Sequence, residues 1–199
     1  MKIRNLTGQS TEYTSNVYHV TGEYLQLSDL NTLIDVGRDA LVIGDLRMIQ
    51  TGIGKKVVDQ IFLTHSHFDH AALLKEILAR YPVPVYAHPE SRIQGIIPVQ
   101  DQEIVQIGDR ECEVIWACAH SEDSTCYFCY DDGYLFSGDV PIRIYTSDGI
   151  YEPAFLPVFE RICSLDVKEI YPGHGDPIIG DVKHLLDESY RNLKESHFV

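Results

Sequence analysis

A chain of 199 residues with 16 basic and 30 acidic side chains carries a formal charge of −14, which repels phosphate backbones and supplies none of the counterion release that drives nucleic-acid binding. The length suits one domain over residues 1–199 that buries most of what its unfolded chain exposes. No run approaches the roughly 18 apolar residues of a membrane span, and no basic-then-apolar leader opens the chain, so a soluble cytoplasmic protein with neither nucleic acid nor membrane as partner is expected.

In chain order, short apolar segments alternate with turn residues. Strands are expected at SNVYHV (15–20), NTLIDVG (31–37), ALVIGD (40–45), VVDQIFLT (57–64), PVYAHP (84–89), EIVQIGD (103–109), ECEVIWA (111–117), TCYFCY (125–130), GYLFSGD (133–139) and VKEIYPG (167–173). Helical periodicity appears over 44–52, 71–81, 153–165 and 181–195. Pro157 falls where the first turn of the third of these tolerates it. Many strands in each half, with helices between and after them, fit two packed sheets covered by helices better than a simple alternating parallel fold.

The five cysteines are an odd number scattered over half the chain, which predicts reduced thiols. Within TCYFCY, Cys126 and Cys129 would point to opposite faces of a strand, so packing accounts for them better than redox or zinc chemistry. TGIGKK (51–56) lacks both the dinucleotide fingerprint and the phosphate-loop spacing.

The informative stretch is THSHFDH, residues 64–70. It sets His65, His67, Asp69 and His70 on the turn between a buried strand and a helix. Imidazole and carboxylate are ligands that zinc, iron and manganese all accept. A helix-capping loop would account for Asp69 alone, but not for three histidines beside it. Side chains at 65 and 67 do not easily converge with those at 69 and 70, and two adjacent metals remove the difficulty. Further ligands are then needed, and His120, Asp139 and His174 share one local address: a polar residue after an apolar strand, twice just after glycine.

Taken in order, HSHFDH (65–70), AH (119–120), SGD (137–139) and PGH (172–174) resemble the metallo-β-lactamase superfamily. Its pattern runs His-x-His-x-Asp-His, a lone His, an Asp after Gly and a final Gly-His. SNVYHV and NTLIDVG also look like that fold's opening strands, so the resemblance covers nearly the whole chain. It implies an α/β protein, an αββα sandwich of two mixed sheets flanked by helices. It further implies His65, His67 and His120 on one metal, Asp69, His70 and His174 on the other, and Asp139 bridging both, with Asp69 also the expected catalytic carboxylate. The cofactors would be two divalent ions, zinc first, with iron or manganese as alternatives. Metals about 3.5 to 4 Å apart share a water and lower its pKa, which makes a hydroxide nucleophile without serine or cysteine.

Within the superfamily the chain looks most similar to compact glyoxalase II-like hydrolases, which implies cleavage of an ester, thioester or related acyl bond of a small substrate. The 25 residues after His174 carry only Lys183, Arg191 and Lys194 as cations, so recognition of glutathione is not expected. Glu122 and Asp123, after the lone histidine, would disfavour a polyanionic substrate if they face the site. Arg143, Tyr145 and Tyr151, in the segment after Asp139, are the candidate substrate contacts. Cys118 is a candidate site-adjacent thiol, whereas His19, His88, His184 and His197 read as packing or surface residues. Two alternatives stand beside the hydrolase: a persulfide dioxygenase of the same superfamily, with one iron on His65, His120 and Asp139, and a metal-stabilised binding protein without turnover.

Overall fold

The computed structural model describes residues 1–199. The first half of the chain forms β1 (Lys2–Asn5), β2 (Tyr18–Thr21), β3 (Thr32–Ile34), β4 (Gln60–Phe62), β5 (Val85–Ala87) and β6 (Ile97–Pro98), a six-stranded sheet in that order. It is antiparallel from β1 to β3 and parallel from β3 to β6. The second half supplies β7 (Ile104–Ile107), β8 (Arg110–Trp116), β9 (Thr125–Cys129), β10 (Tyr134–Gly138), β11 (Ile150–Tyr151), β12 (Glu169–Pro172), β13 (Ile178–Ile179) and β14 (His197–Phe198). These make a second six-stranded sheet, β13-β12-β10-β9-β8-β7, and a small β11-β14 pair. The helices are α1 (Leu41–Met48), α2 (Phe68–Ala71), α3 (Leu74–Leu78), α4 (Phe155–Ser164) and α5 (Val182–Glu195).

Strand periodicity builds three cores from two sheets, because neighbouring residues point to opposite faces. Ile34 and Phe62 turn inward with Tyr18 to meet Val114, Tyr127 and Phe136 of the second sheet. Their neighbours Leu33 and Ile61 turn outward onto Val42 and Leu46 of α1 and Ile77 of α3. On the far side, Ile115, Phe128 and Leu135 pack against Phe155, Phe159 and Ile162 of α4 and Leu186 and Leu193 of α5. The result is helix, sheet, sheet, helix: the αββα sandwich. No helix is long and apolar enough to cross a membrane.

Three expectations need correction. Residues 41–45 lie in α1, with Ala40 just before it, and not in a strand: the Asp39 carboxylate accepts the Leu41 N–H at 2.9 Å, and Val42 and Leu46, four residues apart, share the buried stripe of a helix. The helix expected over 71–81 begins earlier and is broken, since the Leu73 N–H donates to the Gly37 carbonyl and parts α2 from α3. The cysteines are not all reduced, because Cys112 and Cys129 form a disulfide. They stand opposite one another across β8 and β9 and both face the inter-sheet core. Cys126 faces the outer core, as the alternation required.

Cys118, Cys126 and Cys163 are the free thiols. Alkylation of the denatured protein without reductant is therefore expected to add three labels and, after reduction, five, read by intact mass. Five labels without reductant would remove the disulfide from the account.

Candidate metal centre

Both parallel and antiparallel strands end at one edge of the sandwich, and the polar turns gather there. The turn after β4 carries His65 and His67, α2 carries Asp69 and His70, the β8–β9 loop carries His120, Asp139 follows β10, and His174 follows β12. All seven residues picked out in the sequence converge. The ligand atoms of His65, His67 and His120 lie within 4.8 Å of one another, as do those of Asp69, His70 and His174, and those of His65, His70 and Asp139. Asp139 stands in the middle, with a carboxylate oxygen 3.3 Å from His70 Nε2, 3.5 Å from His174 Nε2, 3.6 Å from His120 Nε2 and 4.0 Å from His65 Nε2.

The donor atoms face a common space without partners. Nε2 of His65, His70 and His174 and Oδ1 of Asp139 are buried and make no hydrogen bond, and each such atom costs on the order of 1–3 kcal/mol if nothing meets it. A set of imidazole lone pairs and carboxylate oxygens that have no donor to accept from suits divalent cations. Burial, together with His70 nearby, lowers the His65 pKa to about 4, so its lone pair is free at neutral pH. Burial also disfavours charge on His70, but Asp35 and Asp139 outweigh it and push that imidazole up to about 10, so a cation held there would take the place of its proton. Burial opposes ionisation of Asp139 as well, yet the His174 and His70 imidazoles beside it hold its carboxyl well below the usual range.

Several contributors were not singled out in the sequence. Asp35, 2% exposed, adopts φ +59° at the end of β3 and accepts the Thr64 N–H and hydroxyl, both at 2.8 Å. Its Oδ2 also lies 2.8 Å from His70 Nδ1, which turns Nε2 of that ring toward the centre. The signal was present, since LID is again a polar residue closing an apolar strand. The Asn16 amide donates to the carbonyls of Pro172 and Gly175, on either side of His174. The exposed Tyr13 ring stacks on His174 at 5.2 Å and 16°.

The glycines before Asp139 and His174 now have a reason. Gly138 sits at φ +51°, and a side chain there would meet Thr64 Cβ at 2.6 Å; at Gly173 it would meet Asp139 Oδ1 at 2.2 Å and His70 at 2.7 Å.

The remaining candidates scatter. Arg143 lines a cleft of about 180 Å³ with His174 and also a cleft of about 390 Å³ with Tyr145, where none of the seven convergent residues lies. Tyr151 packs on Phe155 at 5.8 Å. His67, Glu122 and Asp123 together line a third cleft of about 340 Å³. Burial pushes the half-buried Cys118 thiol up, and it joins none of the ligand groups. His88 stacks on Trp116, His19 meets the Val57 carbonyl, His184 lies beside Glu188, and His197 belongs to β14.

Residues 12–96 match the family described as the metallo-beta-lactamase superfamily. A hydroxyacylglutathione hydrolase of Francisella tularensis subsp. novicida is 33% identical over 150 residues, 69% of this chain and 59% of that protein. An atrochrysone carboxyl ACP thioesterase of Cryptosporiopsis sp. is 25% identical over 169 residues, 82% of this chain and 52% of that protein. The chain thus spans little more than half the length of these curated relatives. The crystal structure of TTHA1623 in a di-iron-bound form superposes with a TM-score of 0.68 at 18% identity, over 96% of this chain and 98% of that one, a likeness of fold. Residues 12–96 thus carry the match to the metallo-β-lactamase superfamily, and the chain as a whole shares that fold.

Proposed function

We propose that this metallo-β-lactamase superfamily chain is a metal-dependent hydrolase that cleaves the thioester or ester bond of a small substrate. The observation that carries the reading is the pair of ligand groups set on either side of Asp139. The names of the thioesterase and hydroxyacylglutathione hydrolase relatives support the bond type. His65, His67 and His120 would hold one divalent cation, Asp69, His70 and His174 a second, with Asp139 reaching both. Zinc is favoured and iron or manganese suits the same donors.

Bound cations would polarise the scissile carbonyl and acidify water at the site. The chain's own residues do the rest. Burial keeps His65 neutral, Asp35 orients His70, and the Tyr13 ring shields one face of His174 from solvent. Asp69, half-buried with Oδ2 3.1 Å from His174 Nε2, is placed to take a proton from the attacking water and return it to the leaving group. In a thioester the new C–O bond replaces C–S, giving a carboxylic acid and a thiol from one water.

Elemental analysis of protein purified without added metal, followed by a panel of thioester, lactone, phosphodiester and persulfide substrates, tests the proposal. About two zinc or manganese ions per chain with thioester or ester turnover is the expected result. About one iron per chain with oxygen uptake on a persulfide would replace it with the dioxygenase, for which His65, His120 and Asp139, within 4.0 Å of one another's donor atoms along the two imidazole-carboxylate pairs, are the ligands. Metal without turnover of any substrate would leave the binding protein.

A further inference from the structure

The cleft of about 340 Å³ beside His67 lies at the edge of the ligand set and is not used in the chemistry above. His67 joins the two, since its Nδ1 is 2.9 Å from His120 Nε2. Around the cleft stand Phe68, Glu90, Arg92, Glu122 and Asp123, three carboxylates against one guanidinium. Asp123 is the telling one. It is 4% exposed; its Oδ1 accepts the Ser121 hydroxyl at 2.7 Å, while Oδ2 is buried with no hydrogen-bond partner. A carboxylate is an acceptor only, and leaving one of its oxygens unmet in a low-dielectric setting is costly. Arg92 does not answer it, because Arg92 forms no ion pair. The ring of Phe68, 71% exposed, already has the Arg38 guanidinium 5.7 Å from its centroid, so it presents a face that tolerates a cation.

We propose that this cleft receives a cationic arm of the substrate, an ammonium group carried a short distance from the scissile ester or thioester. The inference rests on the hydrolase reading and adds the substrate's charge to it. An anionic carrier such as glutathione would set its carboxylates against Glu90 and Glu122, in a chain whose net charge is −14. Complementary charge raises the rate of productive encounter as well as affinity, so the selection shows in kcat/KM.

Two readouts separate this inference from the hydrolase reading. The first compares kcat/KM of the zinc-loaded protein on acetylthiocholine (cationic), S-lactoylglutathione (anionic) and S-ethyl thioacetate (neutral). Expected is a preference of about tenfold or more for the cationic over the anionic thioester, each normalised to the neutral one, reduced about tenfold by Glu122→Lys and also reduced by Glu90→Lys. An equal or reversed preference, or one that neither substitution moves, overturns the proposal while turnover of the neutral thioester sustains the hydrolase.

The second readout needs no turnover. Trp116 is the sole tryptophan, and its Nε1–H donates to the Glu122 carbonyl at 2.8 Å, so its fluorescence reports on the cleft. A saturable change with choline, absent with glutathione and lost in Glu122→Lys, supports the cationic arm even where no thioester is cleaved. A response to glutathione alone, or to neither, overturns it.

Discussion

Asp139→Ala is expected to abolish metal retention at one or both positions and to lower turnover by about a thousandfold or more. No other carboxylate faces both ligand groups: Asp139 alone lies within 3.3–4.0 Å of the Nε2 atoms of His70, His174, His120 and His65. Removing it leaves His65 and His120 with no carboxylate beside them, while Asp69 stays next to His174 and Asp35 next to His70. The residue is only partly buried and follows the end of β10, so the fold should survive. The check is metal per chain by elemental analysis beside far-UV circular dichroism. Asp139→Asn, which keeps the shape and drops the charge, should fall between parent and alanine variant. Two metals per chain with full turnover in a metal-checked preparation of Asp139→Ala would falsify the assignment of this residue.

The second large effect lies one layer out. Asp35→Ala should cost about 3–5 kcal/mol of stability, because it strands the Thr64 N–H, the Thr64 hydroxyl and the His70 ring in a buried setting. Alanine also pays for the left-handed backbone at φ +59° that aspartate and asparagine tolerate. For a chain of this size the loss corresponds to a fall in melting temperature on the order of 10 °C. Metal affinity should drop about 10- to 100-fold, the usual consequence of removing the partner that orients a ligating imidazole.

Asp35→Asn divides these two effects. Its carbonyl oxygen still accepts from Thr64, so much of the stability returns, but the anion facing His70 is gone and the metal defect remains. Thermal unfolding with and without chelator, together with metal titration, reads both. An Asp35→Asn protein that binds metal as the parent does would remove the orienting role and leave Asp35 as a structural acceptor.

What the sequence by itself determined is chiefly pattern. HSHFDH, the lone His120, SGD and PGH announced seven residues that the fold does bring together, because each stands where an apolar strand gives way to a turn, and that address is local. The unbroken apolar runs in NTLID and DQIFL likewise announced strands, and Leu33 with Ile34, and Ile61 with Phe62, divide between two cores. The apolar run ALVIGD misled, since a short apolar stretch reads equally as strand or helix until a cap and a partner surface decide.

Only tertiary structure decided the rest. Cys112 meets Cys129 through the pairing register of β8 and β9, which no spacing in the chain reveals. Asp35 reaches His70 across 35 residues, and the glycines at 138 and 173 are required by atoms of Thr64, Asp139 and His70 that arrive from elsewhere. The clefts divide Arg143 and Tyr145 from Tyr151 and join Glu122 and Asp123 to His67. The physical reason is common to all of these. Periodicity and ligand type are properties of a residue and its neighbours in sequence, whereas register, close approach and a shared cavity depend on which distant segments pack together.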